Sequence, residues 1–250
     1  MKRFELISAA LALVALSPVA AMDLAIENID LNDELNVTVW EGDVRIVPGS
    51  DDTVRVSYDC TGTPATVNAD GLRVISDDQS LPELRRGNRS VNFTAAQAAG
   101  SCSVEVTAPP TMMARVRIND RGPIEVSDWR ARFTAWSAGG DVTLASHAAP
   151  FSVTAMNGNA TVDFVGDTLT DDSAATAANG LLELRMPQRP ALTLRAQARW
   201  GQVATDMDID VRREQVDKAT WTVADVSGGG AIVTLRNLNE DIRILGNGSS

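Results

Sequence analysis

Histidine, cysteine, basic charge and long apolar runs are all scarce in this chain, and each scarcity removes a class of function. The single histidine, His147, has no Gly-x-Ser-x-Gly elbow beside it from which a Ser-His-Asp triad could be built. The cysteines are Cys60 and Cys102, too far apart in sequence for a Cys-x-x-Cys thiolate motif, so no metal site is expected from them. Basic residues number 22 against 33 acidic ones, and a surface of that sign repels nucleic acid and anionic membranes over most of its area. Past the first residues no stretch is long and apolar enough for a membrane helix, which needs about 20 consecutive apolar residues.

The one apolar run stands at the front. Lys2 and Arg3 lead the stretch from Leu6 to Leu16, and Ser17-Pro18 and the small-residue site Val19-Ala20-Ala21 follow, the pattern of a cleaved secretory signal. A signal peptide is therefore expected over residues 1–21, with a mature chain from near Met22 in the periplasm or outside the cell. No cysteine stands at the cleavage site to carry a lipid. In an oxidising compartment Cys60 and Cys102 are expected to pair, closing a loop of roughly 40 residues worth about 3–4 kcal/mol in the chain-entropy model.

What the chain has in abundance is one phrase, glycine followed by x-apolar-x-apolar. It reads Gly122-Pro-Ile-Glu-Val126, Gly140-Asp-Val-Thr-Leu144, Gly158-Asn-Ala-Thr-Val162, Gly180-Leu-Leu-Glu-Leu184 and, more weakly, Gly201-Gln-Val-Ala-Thr205, with Gly42-Asp-Val-Arg-Ile46 near the front and Glu240-Asp-Ile-Arg-Ile244 near the end. A spacing of about twenty residues held through several copies marks stacked repeats, each burying its apolar face against its neighbours. Before each glycine runs an alternating arm, such as Phe133 and Ala135 or Phe151, Val153 and Ala155. Strict alternation sends these side chains to the core and Arg115, Arg117, Thr134 and Thr154 to solvent. Stacking predicts one column of Ile124, Val142, Ala160 and Leu182, and beside it Val126, Leu144, Val162 and Leu184. The repeat glycines are assigned to turns that need φ > 0.

Residues 22–75 read as N-terminal strands or first coils, 76–100 as an irregular excursion, 101–245 as the solenoid repeats and 246–250 as a disordered tail. A β-hairpin is expected near 206–226, with Arg212 to Lys218 turning the chain, and Gly228-Gly-Gly230 as a turn.

Candidate contact residues are few. Arg85, Arg86 and Arg89 form the densest basic cluster, either a solvated loop or an anion-contacting patch. Trp40, Trp136 and Trp200 each shortly precede a repeat glycine, and Trp129 is nearby; they either fill corners of the coils or form a sugar-stacking platform, for which Trp136 and Trp200 are the candidates. Asp206, Asp208 and Asp210 share one strand face and Asp171-Asp172 sits in a loop, but calcium wants six to eight converging oxygens, so solvated acids are the expectation. No catalytic, cofactor or metal residue is assigned.

The order of strand, Gly-Asp turn and strand, then an Asp-x-Asp-x hairpin, a Gly-Gly-Gly turn and a closing Asp-Ile-Arg-Ile, resembles the bacterial putative-adhesin β-solenoid family of unknown function, whose relatives include autotransporter-adhesin-like head domains. The resemblance covers residues 35–245. It implies a right-handed, single-stranded parallel β-helix, usually in exported proteins, with no established activity; an antiparallel β-sandwich is the rival fold. The functional expectation is an exported, non-catalytic binding or scaffolding protein of the cell envelope that needs no cofactor. Its partner would be an envelope or extracellular glycan or protein, not nucleic acid. Two alternatives stand beside it, a polysaccharide-cleaving β-helix enzyme and a structural oligomer stacking through solenoid ends.

Overall fold

The structure is a computed structural model that describes residues 21–49, 52–61 and 81–247. The expected signal peptide, residues 50–51 and 62–75 of the expected N-terminal strands, residues 76–80 of the expected excursion and residues 248–250 of the expected tail lie outside the described residues, except that Ala21 is described.

Period-two alternation drives almost every element. The strands are β1 (Met22–Glu27), β2 (Glu34–Val39), β3 (Glu41–Pro48), β4 (Thr53–Cys60), β5 (Glu83–Gly87), β6 (Ser90–Ala95) and β7 (Ser101–Ala108). There follow β8 (Met113–Arg121), β9 (Ile124–Ser127), β10 (Phe133–Gly139), β11 (Val142–His147), β12 (Phe151–Ala155), β13 (Ala160–Phe164), β14 (Ser173–Ala177) and β15 (Leu182–Met186). The chain closes with β16 (Leu192–Ala198), β17 (Val203–Thr205), β18 (Val211–Val216), β19 (Ala219–Val226), β20 (Ala231–Asn237) and β21 (Ile242–Gly246). One 3-10 turn, Gln97–Ala99, interrupts them.

The strands form two large mixed sheets, neither closed. Sheet A has the order β1-β4-β7-β3-β9-β11-β13-β15-β21-β17, and sheet B the order β18-β19-β16-β20-β14-β12-β10-β8-β2-β6-β5. From β8 to β15 successive strands alternate between the sheets, and each pairs in parallel with the strand two further along. Two layers facing each other across one core is the layering of the sandwich alternative, although its antiparallel pairing is confined to the ends. At one end β4 runs antiparallel between β1 and β7, and β5 antiparallel to β6; at the other, β19 runs antiparallel between β16 and β18. A single-stranded parallel β-helix throughout is thus not what the chain forms. Stacking order also departs from chain order. The pair β6–β7 lies outside β2–β3, and β20–β21 inserts between β14–β15 and β16–β17.

The expected columns are present. Ile124, Val142, Ala160 and Leu182 are register partners in turn, extended by Val44 before them and Ile242 after them, and all are buried. Facing them across the core, Phe93, Val37, Val116, Ala135, Val153, Ala175 and Leu235 form the matching column of sheet B. Burying each large member is worth roughly 1.5–3 kcal/mol, which is why the aliphatic pattern tolerates no charge.

The glycines are required for a different reason from the one expected. Positive φ occurs at Gly42 and Gly122 (122° and 141°), whereas Gly140, Gly158, Gly180 and Gly201 do not have it. There the constraint is the neighbouring layer: a Cβ on Gly158 would stand 2.4 Å from the carbonyl carbon and oxygen of Gly140, and one on Gly180 would stand 2.3 Å from Gly158 O. The residue after glycine, or after Glu240 where the last copy lacks the glycine, ties the layers together. Asp141 Oδ1 accepts a hydrogen bond from Asn159 N–H, Asn159 Oδ1 from Leu181 N–H and Asp241 Oδ1 from Gln202 N–H, each at 2.8 Å. Asn159 therefore does the work of the aspartate it replaces.

Three boundaries need correction. The irregular excursion of 76–100 contains, in its described part, β6, which pairs with β2, and the edge strand β5 beyond it, because Val91, Phe93 and Ala95 alternate with polar residues and point into the core. In the hairpin, Arg212 to Val216 is strand and the turn is Asp217-Lys218, both with φ > 0 (51° and 67°) as a two-residue type I′ turn demands. Gly246 and Asn247, assigned to the tail, are held: Gly246 ends β21 and Asn247 Nδ2 donates to Asp163 Oδ1 at 2.9 Å. At Gly228 and Gly229 the turn stands as expected, with φ of 91° and 82°.

Candidate binding face

The outer face of sheet B carries two continuous rows of side chains running across the strands. The first passes through Arg115, Thr134, Ser152, Ala174, Thr234 and Arg195 on β8, β10, β12, β14, β20 and β16. The second, two residues further along, passes through Arg117, Trp136, Thr154, Thr176, Arg236 and Gln197, and Trp221 on β19, one step past the Ala196–Thr222 pair, shares a cleft with Gln197 and continues it. These positions include four arginines and no carboxylate. The corresponding rows of sheet A contain Glu125, Glu183 and Asp163 against Arg185 and Arg243. Arg115 and Arg195 are paired with Glu34 and Glu214 on neighbouring strands, so Arg117 and Arg236 carry the basic excess of this face.

Two cation–π pairs mark that face. Arg117 lies 4.3 Å from the ring centroid of Trp136, and Arg236 lies 5.1 Å from that of Trp221. Five strand spacings separate Trp136 from Trp221, about 24 Å at roughly 4.8 Å each. Beside Trp221 is a cleft of about 350 Å³ lined by Arg195, Gln197, Thr234 and Arg236 from the sheet and by Val216 and Asp217 from the hairpin. Neither Trp221 nor Arg236 stands beside a repeat glycine, so the local pattern does not mark them. The usable signal was the register itself, which places each in the row that begins at Arg117.

The residues singled out by sequence separate. Trp136 belongs to this face and is half-buried in it. Trp200 is 73% exposed at a corner, with Arg199 5.6 Å from its ring, and lies in neither row. Trp129 is fully buried and donates its Nε1–H to Met112 O at 3.0 Å, so it fills a corner of the core. The three arginines divide, Arg86 and Arg89 both standing near Asp30 and Arg85 apart from them. Arg85 sits on edge strand β5 paired with Glu83, Arg86 reaches the buried Asp33 carboxylate at 3.7 Å, and Arg89 occupies the β5–β6 turn with φ of 61°. Asp206 accepts from Gly246 N–H, Asp172 accepts from Ile232 N–H, and Asp171 pairs with Arg132, so these acids hold backbone and neighbours. Among the described residues no group of three or more His, Cys, Asp or Glu is placed to hold a metal ion.

Cys60 and Cys102 are directly opposed on β4 and β7 and form a disulfide, their Cα atoms 4.1 Å apart. His147 would face solvent if β11 alternated strictly. Ser146, with φ of 53°, forms a bulge that turns the imidazole inward. It is fully buried, edge-on to Phe133 and Phe151 with centroids 6.5 and 6.1 Å away, and its Nδ1 has no hydrogen-bond partner among the described residues. Burial lowers its pKa from 6.5 to about 4, against smaller opposing hydrogen bonds led by the Pro150 carbonyl, so the ring is neutral at pH 7.

No family model matches the chain, and no curated protein matches it. Among solved structures it is similar to a putative cell adhesion protein from Clostridium sporogenes, 8% identical over 91% of this chain and 100% of that one, with a TM-score of 0.44. A putative adhesin from Bacteroides fragilis is 9% identical over 90% of this chain and 97% of that one, with a TM-score of 0.36. No helix among the described residues is long and apolar enough to cross a membrane.

Proposed function

We propose that this chain is an exported, non-catalytic binding or scaffolding protein of the bacterial cell envelope, adhesin-like in its mode of action, with the outer face of sheet B as its contact surface. In this reading the central strands are turns of one flattened coil, and coiling is what sets equivalent side chains in rows at a constant spacing. The observation that carries the reading is the row from Arg117 and Trp136 to Arg236 and Trp221, in which an arginine and a tryptophan at each end flank two threonine hydroxyls on a solvent-facing sheet. Such a surface suits an extended polymer lying across the strands. The Cys60–Cys102 disulfide supports an oxidising compartment, periplasmic or extracellular. The imidazole lies inside the core, where no substrate reaches it, which favours binding over acid–base chemistry at that residue.

A glycan array probed with residues 22–250 tests the proposal. Binding should be retained by Thr143→Ala on sheet A and lost or weakened about tenfold by Trp136→Ala, the scale of one aromatic stacking contact at a desolvated site. Binding that ignores Trp136→Ala and is abolished from the sheet A side would overturn it.

A further inference from the structure

The cleft beside Trp221 differs from the rest of the sheet B face in having walls. We infer that it is a subsite for one or two rings of an acidic saccharide, a sugar bearing a carboxylate, and that it anchors one end of the ligand proposed above; the inference rests on that reading of the face. Its volume of about 350 Å³ lies at the low end of the range for small-molecule sites, roughly 300–1,000 Å³, so it admits a terminal unit and not a folded partner.

The charges are arranged to leave guanidinium donors unspent. Arg212 draws off the hairpin carboxylates, donating to Glu214 at 2.9 Å and to Asp225 at 2.7 Å. Arg195 has Glu214 at 3.3 Å as its one carboxylate, already shared with Arg212. Arg236 makes no ion pair among the described residues and is held over the Trp221 ring. Asp217 is the one acid in the lining. A planar guanidinium matches a carboxylate through two parallel N–H···O bonds, which a hydroxyl cannot reproduce. Trp221 offers an amphipathic ring for the C–H face of a sugar, and Gln197 and Thr234 offer donors and acceptors for its hydroxyls. Acids on sheet A are no obstacle. Packed sheets stand about 10 Å apart, and charges beyond a Debye length of about 8 Å at physiological salt are largely screened.

Isothermal titration of residues 22–250 with digalacturonate and trigalacturonate, using the matching neutral galactose oligomers as controls, tests the inference. The acidic oligomers should bind at least about tenfold more tightly than the neutral ones, with affinity falling as sodium chloride rises. Arg236→Gln should weaken them about tenfold or more without moving the melting temperature, and Arg236→Lys should restore part of the loss. Equal affinity for neutral oligomers, no binding of acidic ones, or indifference to Arg236→Gln would overturn the inference. The two proposals fail separately. Polymer binding lost in Trp136→Ala without any binding of acidic oligomers keeps the face and removes the subsite, whereas oligomer binding lost in Arg236→Gln with polymer binding intact in Trp136→Ala keeps the subsite and removes the extended face.

Discussion

Replacing Gly158 by alanine isolates the contact that sets the distance between successive layers. The backbone there has no positive φ, so alanine is not excluded by its own conformation; the obstacle is the layer next to it. Its Cβ would meet Gly140 C and O at 2.4 Å and Asp141 N at 2.8 Å, all backbone atoms that cannot swing aside. Relief to ordinary contact needs about 1 Å of separation, which stretches the adjoining Val142 N–H to Asn159 O bond from its 2.8 Å. Overpacking of this kind costs about 1–3 kcal/mol, and one or two weakened backbone hydrogen bonds add about 1 kcal/mol each. Loss of glycine's freedom in the unfolded chain offsets about 0.4–1 kcal/mol. The net destabilisation is then about 2–4 kcal/mol, or a melting temperature lowered by roughly 5–15 °C for a domain of this size. Gly228→Ala is the control: nothing lies within 4 Å of its Cβ position, and φ of 91° is its sole penalty, about 1 kcal/mol after the same offset. Circular-dichroism melts of the two variants decide the matter. A Gly158→Ala protein melting within about 2 °C of the parent, or below Gly228→Ala in its effect, would refute interlayer contact as the reason for the repeat glycine.

Three further outcomes follow from the same core. Val142→Asp should abolish folding, because it sets a carboxylate between Ile124 and Ala160, whereas Thr143→Asp on the outer face should shift the melting temperature by no more than a few degrees; equal damage in paired melts would contradict the assigned faces. For His147, the unfolded imidazole takes up a proton below pH 6.5 while the folded one resists until about pH 4, so stability is full above pH 6.5 and falls as pH drops towards 4. The loss is on the order of 3 kcal/mol, and urea titrations should show that part of the acid dependence flattened in His147→Leu, whatever its effect at neutral pH. Reduction of the Cys60–Cys102 bond, 42 residues apart in sequence, should lower stability by about 3–4 kcal/mol in the chain-entropy model; an unchanged melt after complete reduction, verified by thiol titration, would contradict this.

The columns Ile124–Val142–Ala160–Leu182 and Val126–Leu144–Val162–Leu184 could be read from spacing because each layer repeats one local pattern, and local pattern is what a sequence displays. The strand β6 was harder to see. Val91, Phe93 and Ala95 carry the same alternation, but arginines, asparagine and an alanine-rich stretch surround them and no repeat glycine announces the layer. His147 was misleading in the other direction, since one residue at positive φ reverses the side to which it points. The binding face was half visible: Trp136 could be picked out, whereas its relation to Trp221, 85 residues later, depends on which strands are neighbours.

By itself the amino-acid sequence determined that the chain is all-β, which face of each central strand is buried, where glycine must recur and which two cysteines could pair. These follow from periodicities of two and about twenty residues, both local. Tertiary structure alone decided that β6–β7 stacks outside β2–β3, that β20–β21 inserts ahead of β16–β17, that antiparallel strands finish both ends, and hence that Arg236 comes to stand between Thr176 and Gln197. Every inner face presents much the same aliphatic surface, so many orders of stacking satisfy the local pattern, and the choice among them is made by long-range packing and edge pairing that no single stretch encodes.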